Sequence, residues 1–264
     1  MRKKRKLISI LIASFNKEKF IKKTLSSVIN QTYKDFEIIL YDDKSTDKSL
    51  EIIKKFSKIK IIRNKNKKTN YPPLDQINAL INCYKQSKGE IICFLDADDI
   101  FMKQKLEIVN SFFFKNPKKN FVVNLLQTNK TLNLSRTNYS KKKWPSIFPT
   151  SSISIRRIFF KKFIKYAEIK KFQNLEIDAR MIIFTCFFQN DFNVLEKRLT
   201  KYIVDKRGIS SKYKFLSCDW WLKRHEAYSY LDFILKRKNK YISKSFDYYV
   251  TNMVYKIILF FRFC

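Results

Sequence analysis

The stretch FLDADDIF, residues 94–101, sets three carboxylates, Asp96, Asp98 and Asp99, directly after an apolar run in a chain with 23 acidic residues against 56 basic ones. Carboxylates this close at the end of a buried strand repel one another unless a cation or a hydrogen bond offsets their charge. Their oxygens suit Mg2+ or Mn2+, ions that join one or two protein carboxylates to the phosphates of a substrate. The residue types alone allow a second reading, in which Asp98 or Asp99 caps the next helix while Asp96 faces water. Two more polar clusters follow apolar runs: SFNKE after LISILIA, and DDKSTD after FEIILYD. Further on, NLEIDARMI puts Glu176 and Asp178 at the start of an apolar helix, where the helix dipole also favours acids. DWWLKRHEAYSYL joins Trp220 and Trp221 to basic residues and the only histidine, His225. That histidine is either a phosphate or metal contact or a structural hydrogen-bonding group. The tryptophans fit core packing, an acceptor sugar or a membrane interface.

These clusters need elements that bring them to one edge. Short β-rich runs (LISILIA, FEIILYD, KIKIIR, EIICFLD, FVVNLL) alternate with amphipathic segments over 19–30, 46–56, 74–84 and 103–114. This βαβα order predicts an α/β fold, a mostly parallel sheet flanked by helices, with ligands beyond the carboxyl ends of the strands. Ser45 is expected to cap the second helix, Pro72 and Pro73 to open the third, and Gly89 to close it. After about residue 130 the pattern weakens into TNKTLNLSRTNYSKKKWP, a loop or linker, and a second region begins near Pro149. The expected division is therefore 1–130 and a smaller C-terminal region, 131–264, ending in a helical segment.

Composition narrows the function. Only two glycines, Gly89 and Gly208, exclude GxGxxG and Walker-type phosphate loops, so any phosphate needs another device. Five cysteines without a CxxC pair predict neither a zinc nor a disulfide framework and fit a reducing cytoplasm. The formal charge of +33 suits a polyanion, yet the lysines spread over the whole length. The acid-free interval 108–167, with thirteen Lys and Arg, is a solvated surface or a platform for an anionic acceptor. MRKKRKLISILIASF imitates a signal peptide, but NKEKF follows where small residues of a cleavage site belong, so it is read as a first strand. No segment reaches the roughly 18–20 apolar residues that span a bilayer. The tail VYKIILFFRFC fits either a membrane surface or a packed terminal element. The expected location is cytoplasmic, with peripheral contact at the inner face of the cytoplasmic membrane left open.

The ordered set ILIASFNKEKFIKKTLSSVINQTYKDFEIILYDDKSTDKS and GEIICFLDADD resembles the family 2 glycosyltransferases of the GT-A fold, densely over residues 7 to about 110. A weaker likeness runs through PTSSISIRRIFFKKF, NLEIDARMI and WWLKRHEAYSYL, similar to the acceptor-side half of some bacterial members. The resemblance implies a nucleotide-sugar-binding half at 1–130 and an acceptor-binding half at 131–264. It implies that Ala13, Ser14, Phe15 and Glu18 embrace the nucleotide and that Asp42 hydrogen-bonds the base, usually uracil. Asp96 would meet the ribose or sugar, and Asp98 the metal. Asp178 would be the catalytic base, with Glu176 the competing choice. Two departures stand out: Lys44 replaces the usual glycine after the double aspartate, which a φ > 0 position would tolerate less well, and Ser152 stands where glycine is common. The implied activity is an inverting, Mg2+- or Mn2+-dependent transfer from a nucleotide-sugar donor to a hydroxyl of an envelope glycan or lipid-linked acceptor. The competing readings are a noncatalytic nucleotide-sugar-binding homologue and a basic nucleic-acid-binding protein. Carboxylates lining a strand-end cleft argue against the last, so no specific nucleic acid is expected.

Overall fold

A computed structural model describes residues 6–127, 148–167, 170–205 and 208–261. The linker and the boundary near residue 130 lie outside the described residues. Eight strands form one mixed sheet in the order β3-β2-β1-β4-β7-β6-β8-β5. The first four are parallel: β1 (Ile8–Ser14), β2 (Phe36–Asp42), β3 (Ile59–Arg63) and β4 (Ile91–Asp96). β6 (Phe121–Gln127) and β8 (Val194–Lys201) pair parallel, while β7 (Ile153–Arg156) and β5 (Ile100–Phe101) run antiparallel to their neighbours. β7 and β8, from the second region, thus complete the sheet that the first region starts.

Strand alternation divides the core in two. Ile8, Ile10 and Ile12 face a layer holding α1 (Ile21–Ile29), α2 (Ser49–Lys54) and α4 (Lys105–Lys115). Leu11, Ile39, Ile92 and Phe94 face the opposite layer, which holds α3 (Pro72–Gln86), α5 (Arg157–Ile164), α6 (Ile177–Ile183) and α7 (Cys218–Lys236). α6 continues into a wider π turn, Phe184–Gln189, and α8 (Phe246–Phe261) packs on α7.

Local signals fare unevenly. Pro72 and Pro73 open α3 as expected, because a first-turn N–H has no helical partner to lose. Ser45 does not cap α2; its Oγ accepts the N–H of Asn16 at 3.0 Å, and Asp47 Oδ1 takes the N–H of Ser49 at 2.9 Å. Gly89 does not close α3, which ends at Gln86. It is needed for close approach, since a Cβ there would sit 2.5 Å from the backbone nitrogen of Ser9 in β1. Cys83 and Cys93 are buried free thiols. Cys218 is disulfide-bonded, where spacing predicts no disulfide framework.

Candidate active site

Parallel register carries the polar clusters to one edge. Ser14 pairs with Asp42 and Ala13 with Asp96, so the ends of β2, β1 and β4 lie side by side. Beyond them opens a cavity of about 510 Å³. Ala13, Ser14, Phe15, Asp96, Asp98, Glu176 and Asp178 all line it, and segments after β8, from Tyr202 to Asp205 and from Gly208 to Tyr213, close its far wall.

The loops after β1 and β2 are laced together. Asn16 Oδ1 accepts the N–H of Thr46 at 2.8 Å, Ser49 Oγ that of Lys17 at 2.6 Å, and Asp47 Oδ2 that of Glu18 at 3.1 Å. Glu18 returns the bond, its Oε2 accepting the N–H of Lys48 at 3.0 Å. Glu18 is therefore spent on loop geometry and does not line the cavity. Lys44 does adopt a left-handed φ of 60°, a strain of about 1 kcal/mol for a residue with a Cβ.

Asp42 and Asp43 divide differently from expectation. Asp42 follows Ile38 and Leu40 in the strand alternation and so turns toward the α1 and α2 layer. Its carboxylate is fully buried, neither oxygen hydrogen-bonded among the described residues, and it is not on the cavity wall. Asp43 is on the wall, accepting from Asn64 Nδ2 at 2.6 Å and ion-paired with Lys68 at 3.1 Å. Lys68 Nζ in turn lies 3.0 Å from the centroid of the Phe15 ring.

The three aspartates of DADD have three environments. Asp96 follows Ile92 and Phe94 toward the cavity side, where Gln76 Nε2 donates to it at 2.9 Å and Ser151 Oγ at 3.3 Å. Burial, and then the charges of Asp99 and Asp98, push its carboxyl well above the usual range. Asp98 accepts from Lys17 Nζ at 2.6 Å, and the same ammonium donates to Asp205 at 2.8 Å. Burial pulls the Lys17 pKa down, but the two carboxylates outweigh it and leave it above its ordinary value. Asp99 is not the helix cap: α4 begins at Lys105, and Asp99, fully buried, accepts the N–H of Ile203 at 2.8 Å. It ties the segment after β8 to the DADD turn, and burial raises its carboxyl to about 7.

Glu176 and Asp178 sit at the N-terminus of α6, in a segment held by buried Arg180. That guanidinium donates to the carbonyls of Leu175 at 3.0 Å and Lys171 at 3.1 Å, and also to those of Ala167 and Phe172. Glu176 is ion-paired with Lys223 of α7. Asp178 has no ion pair among the described residues; its Oδ1 accepts only the N–H of Ala179, at 2.6 Å. Burial, then the neighbouring Glu176, raises the Asp178 carboxyl to about 7.

His225 is not at the site. It stacks on Tyr255 at 3.5 Å between ring centroids, and its nitrogens meet Asn252 and Ser229, so it is a packing and hydrogen-bonding group between α7 and α8. Trp220 and Trp221 lie off the cavity wall, in edge contact at 4.7 Å.

Among the described residues no three His, Cys, Asp or Glu side chains form a metal cage. The donors nonetheless fit a hard divalent ion: two carboxylates, Asp98 and Asp205, already bracket one cationic nitrogen, and Mg2+ and Mn2+ commonly complete their shells with phosphate and water. Lys17, Asp43, Lys68, Gln76 and Asp205 are the site residues that sequence reasoning left out. Lys17 and Asp43 lie inside the quoted motifs; Asp205 has no local signal.

Comparison with known proteins bears on the family and the fold. The glycosyl transferase family 2 model matches residues 9–196. The chain is 40% identical over 116 residues to the Escherichia coli UDP-Glc:alpha-D-GlcNAc-diphosphoundecaprenol beta-1,3-glucosyltransferase WfaP, covering 44% of this chain and 43% of that one. It is 36% identical over 112 residues to WfgD of the same organism, described by the same activity, covering 42% of each. The chain thus spans less than half the length of the curated relatives it matches. Residues 1–349 of S. aureus TarS, solved with UDP, superpose with a TM-score of 0.64 at 18% identity over 96% of this chain and 70% of that one. A Pyrobaculum calidifontis mannosyltransferase solved with GDP-Man and Mn2+ gives 0.63 at 15% over 91% and 66%. These likenesses show a shared GT-A-like fold. With the family model spanning both the DADD turn and the Asp178 helix, the chain belongs to glycosyltransferase family 2.

Proposed function

We propose that this chain transfers a sugar, with inversion, from a UDP-linked donor to a hydroxyl of an envelope glycan or lipid-linked acceptor, with Mg2+ or Mn2+ as cofactor. One observation carries the reading: Asp98, ion-paired with Lys17, and Asp178, with no ion pair among the described residues, face the same cavity. The UDP-Glc donors and diphosphoundecaprenol-linked acceptors named for the E. coli relatives support the substrate classes.

The roles follow from charge. Asp43, on the cavity wall, replaces Asp42 as the carboxylate for the base, and Asp96 is set for the ribose or sugar. Asp98 and Asp205 would hold the metal ion, which when bound supplies Lewis-acid stabilisation of charge on the diphosphate. Lys17, once displaced from these two carboxylates, would add a positive charge for the diphosphate. Asp178 takes the proton of the acceptor hydroxyl as its oxygen attacks the anomeric carbon. The bond from that carbon to the diphosphate breaks, and its electron pair leaves with the nucleotide. A base with a pKa near the working pH is suited to this, and such a group contributes on the order of 10²- to 10⁴-fold. Glu176, neutralised by Lys223, is the weaker candidate.

The test is calorimetric titration of wild type with a panel of nucleotide sugars, with and without Mn2+ or Mg2+. Metal-dependent binding of a UDP-sugar is expected. Binding of none of them, with binding of nucleic acid at physiological salt, would sink the reading.

A further inference from the structure

Helix α8 turns an apolar face away from the fold. It runs antiparallel to α7, as the pairs Asp232–Lys244, Tyr228–Asp247 and His225–Asn252 require, and buries Thr251 and Ile258. On its other side Phe246, Tyr249, Met253, Ile257 and Phe260 recur every three or four residues, which aligns them in one stripe about 21 Å long. Their exposure runs from 44% at Ile257 to 84% at Phe246. A contiguous exposed apolar patch of this kind marks an interaction site.

The surroundings select the partner. Lys236, Arg237, Lys238 and Lys240, in the last turn of α7 and the link to α8, are all exposed, and exposed Lys256 flanks the stripe. The acids nearby, Asp232 and Asp247, are ion-paired with Lys244 and Arg224. A second copy of the chain would bring these lysines, and a formal charge of +33, against themselves. A lipid surface with anionic head groups meets both the stripe and its basic rim. No helix among the described residues is long and apolar enough to cross a membrane. An apolar stripe on one face with a basic rim is the pattern of a helix that lies in an interface.

We propose that α8 docks this protein on the surface of an anionic phospholipid bilayer, its stripe at the acyl boundary and the 236–240 run over the head groups. The docking surface is joined to the active site: residues 208–213 line the cavity just before α7, and Lys223 of α7 pairs with Glu176. Its use in presenting an acceptor rests on the reading of that acceptor as lipid-linked, whereas the docking itself does not.

Vesicle flotation of the full chain tests this, with phosphatidylcholine alone against an equimolar mixture with phosphatidylglycerol. Salt-sensitive binding to the mixed vesicles is expected, at least about tenfold tighter than to neutral ones. Combined Tyr249→Ser, Met253→Ser and Ile257→Ser should weaken it by at least about tenfold and leave UDP affinity unchanged, and Lys238→Glu with Lys240→Glu should also weaken it. Equal affinity for the two vesicle types, no binding to either, or variants that bind as wild type would overturn the proposal. So would a lipid-free dimer abolished by the same serine substitutions, which would make a second copy the occupant. Loss of UDP binding with vesicle binding intact would count against the glycosyltransfer reading alone.

Discussion

Lys17 Nζ donates to Asp98 Oδ2 at 2.6 Å while also meeting Asp205 at 2.8 Å, so an ammonium of the chain itself stands between the two carboxylates assigned to the metal. The SFNKE loop, stapled to the DDKSTD loop, holds it there.

A tethered cation must be displaced before a divalent ion can use both carboxylates. Lys17→Gln is therefore expected to tighten binding of Mn2+ alone by about tenfold, and Asp205→Asn to weaken it by as much, in a calorimetric titration without nucleotide. Equal Mn2+ affinity in wild type and both variants would contradict this pairing.

The base should show itself in the pH profile. As the proposed base, Asp178 would act only as the carboxylate, so kcat/KM is expected to rise with pH through about 7. Glu176→Gln removes a neighbouring negative charge and should shift that limb to lower pH. The same raised carboxyl makes the folded state lose stability as pH climbs from the ordinary carboxylate range toward 7, because the folded chain binds that proton more tightly. A profile flat across this range would exclude Asp178 as the titrating base.

Nucleotide affinity should separate Asp43 from Asp42. Asp43→Asn removes charge from the cavity wall and is expected to weaken UDP binding about tenfold, a loss of roughly 1.4 kcal/mol. Asp42→Asn, buried on the other face, should alter thermal stability with UDP affinity within about threefold of wild type. The reverse pattern would restore Asp42 to the base.

Arg180 is the structural support of the segment that carries Glu176 and Asp178. Arg180→Met leaves four carbonyls without their donor and should cost about 3 kcal/mol or more in urea unfolding. A loss below about 1 kcal/mol would mean that the segment holds itself.

The carboxylates of the first region are legible in sequence because each ends a short apolar run, and a parallel sheet brings successive strand ends together. Period-two alternation, followed one step further, distinguishes Asp42 from Asp43 and puts Asp96 with Phe94 on the cavity side. Lys44 shows the limit of a glycine rule: the turn keeps its left-handed residue because the hydrogen bonds between the two loops outweigh a local strain. Asp205 meets Lys17 across 188 positions, through the pairing of β8 beside β6, and such a contact leaves no local motif. Asp99 misleads for a related reason: its acceptor role is filled by Ile203, 104 residues away, before any helix begins.

The most direct measurement compares wild type, Asp98→Ala and Asp178→Asn for Mn2+-dependent UDP-sugar binding and for turnover of the same donor. Asp98→Ala is expected to abolish metal-dependent binding. Asp178→Asn should bind within about threefold of wild type and lose roughly 10²- to 10⁴-fold in turnover. Equal loss of binding in both variants, or wild-type turnover by Asp178→Asn, would contradict the division of labour between the two aspartates.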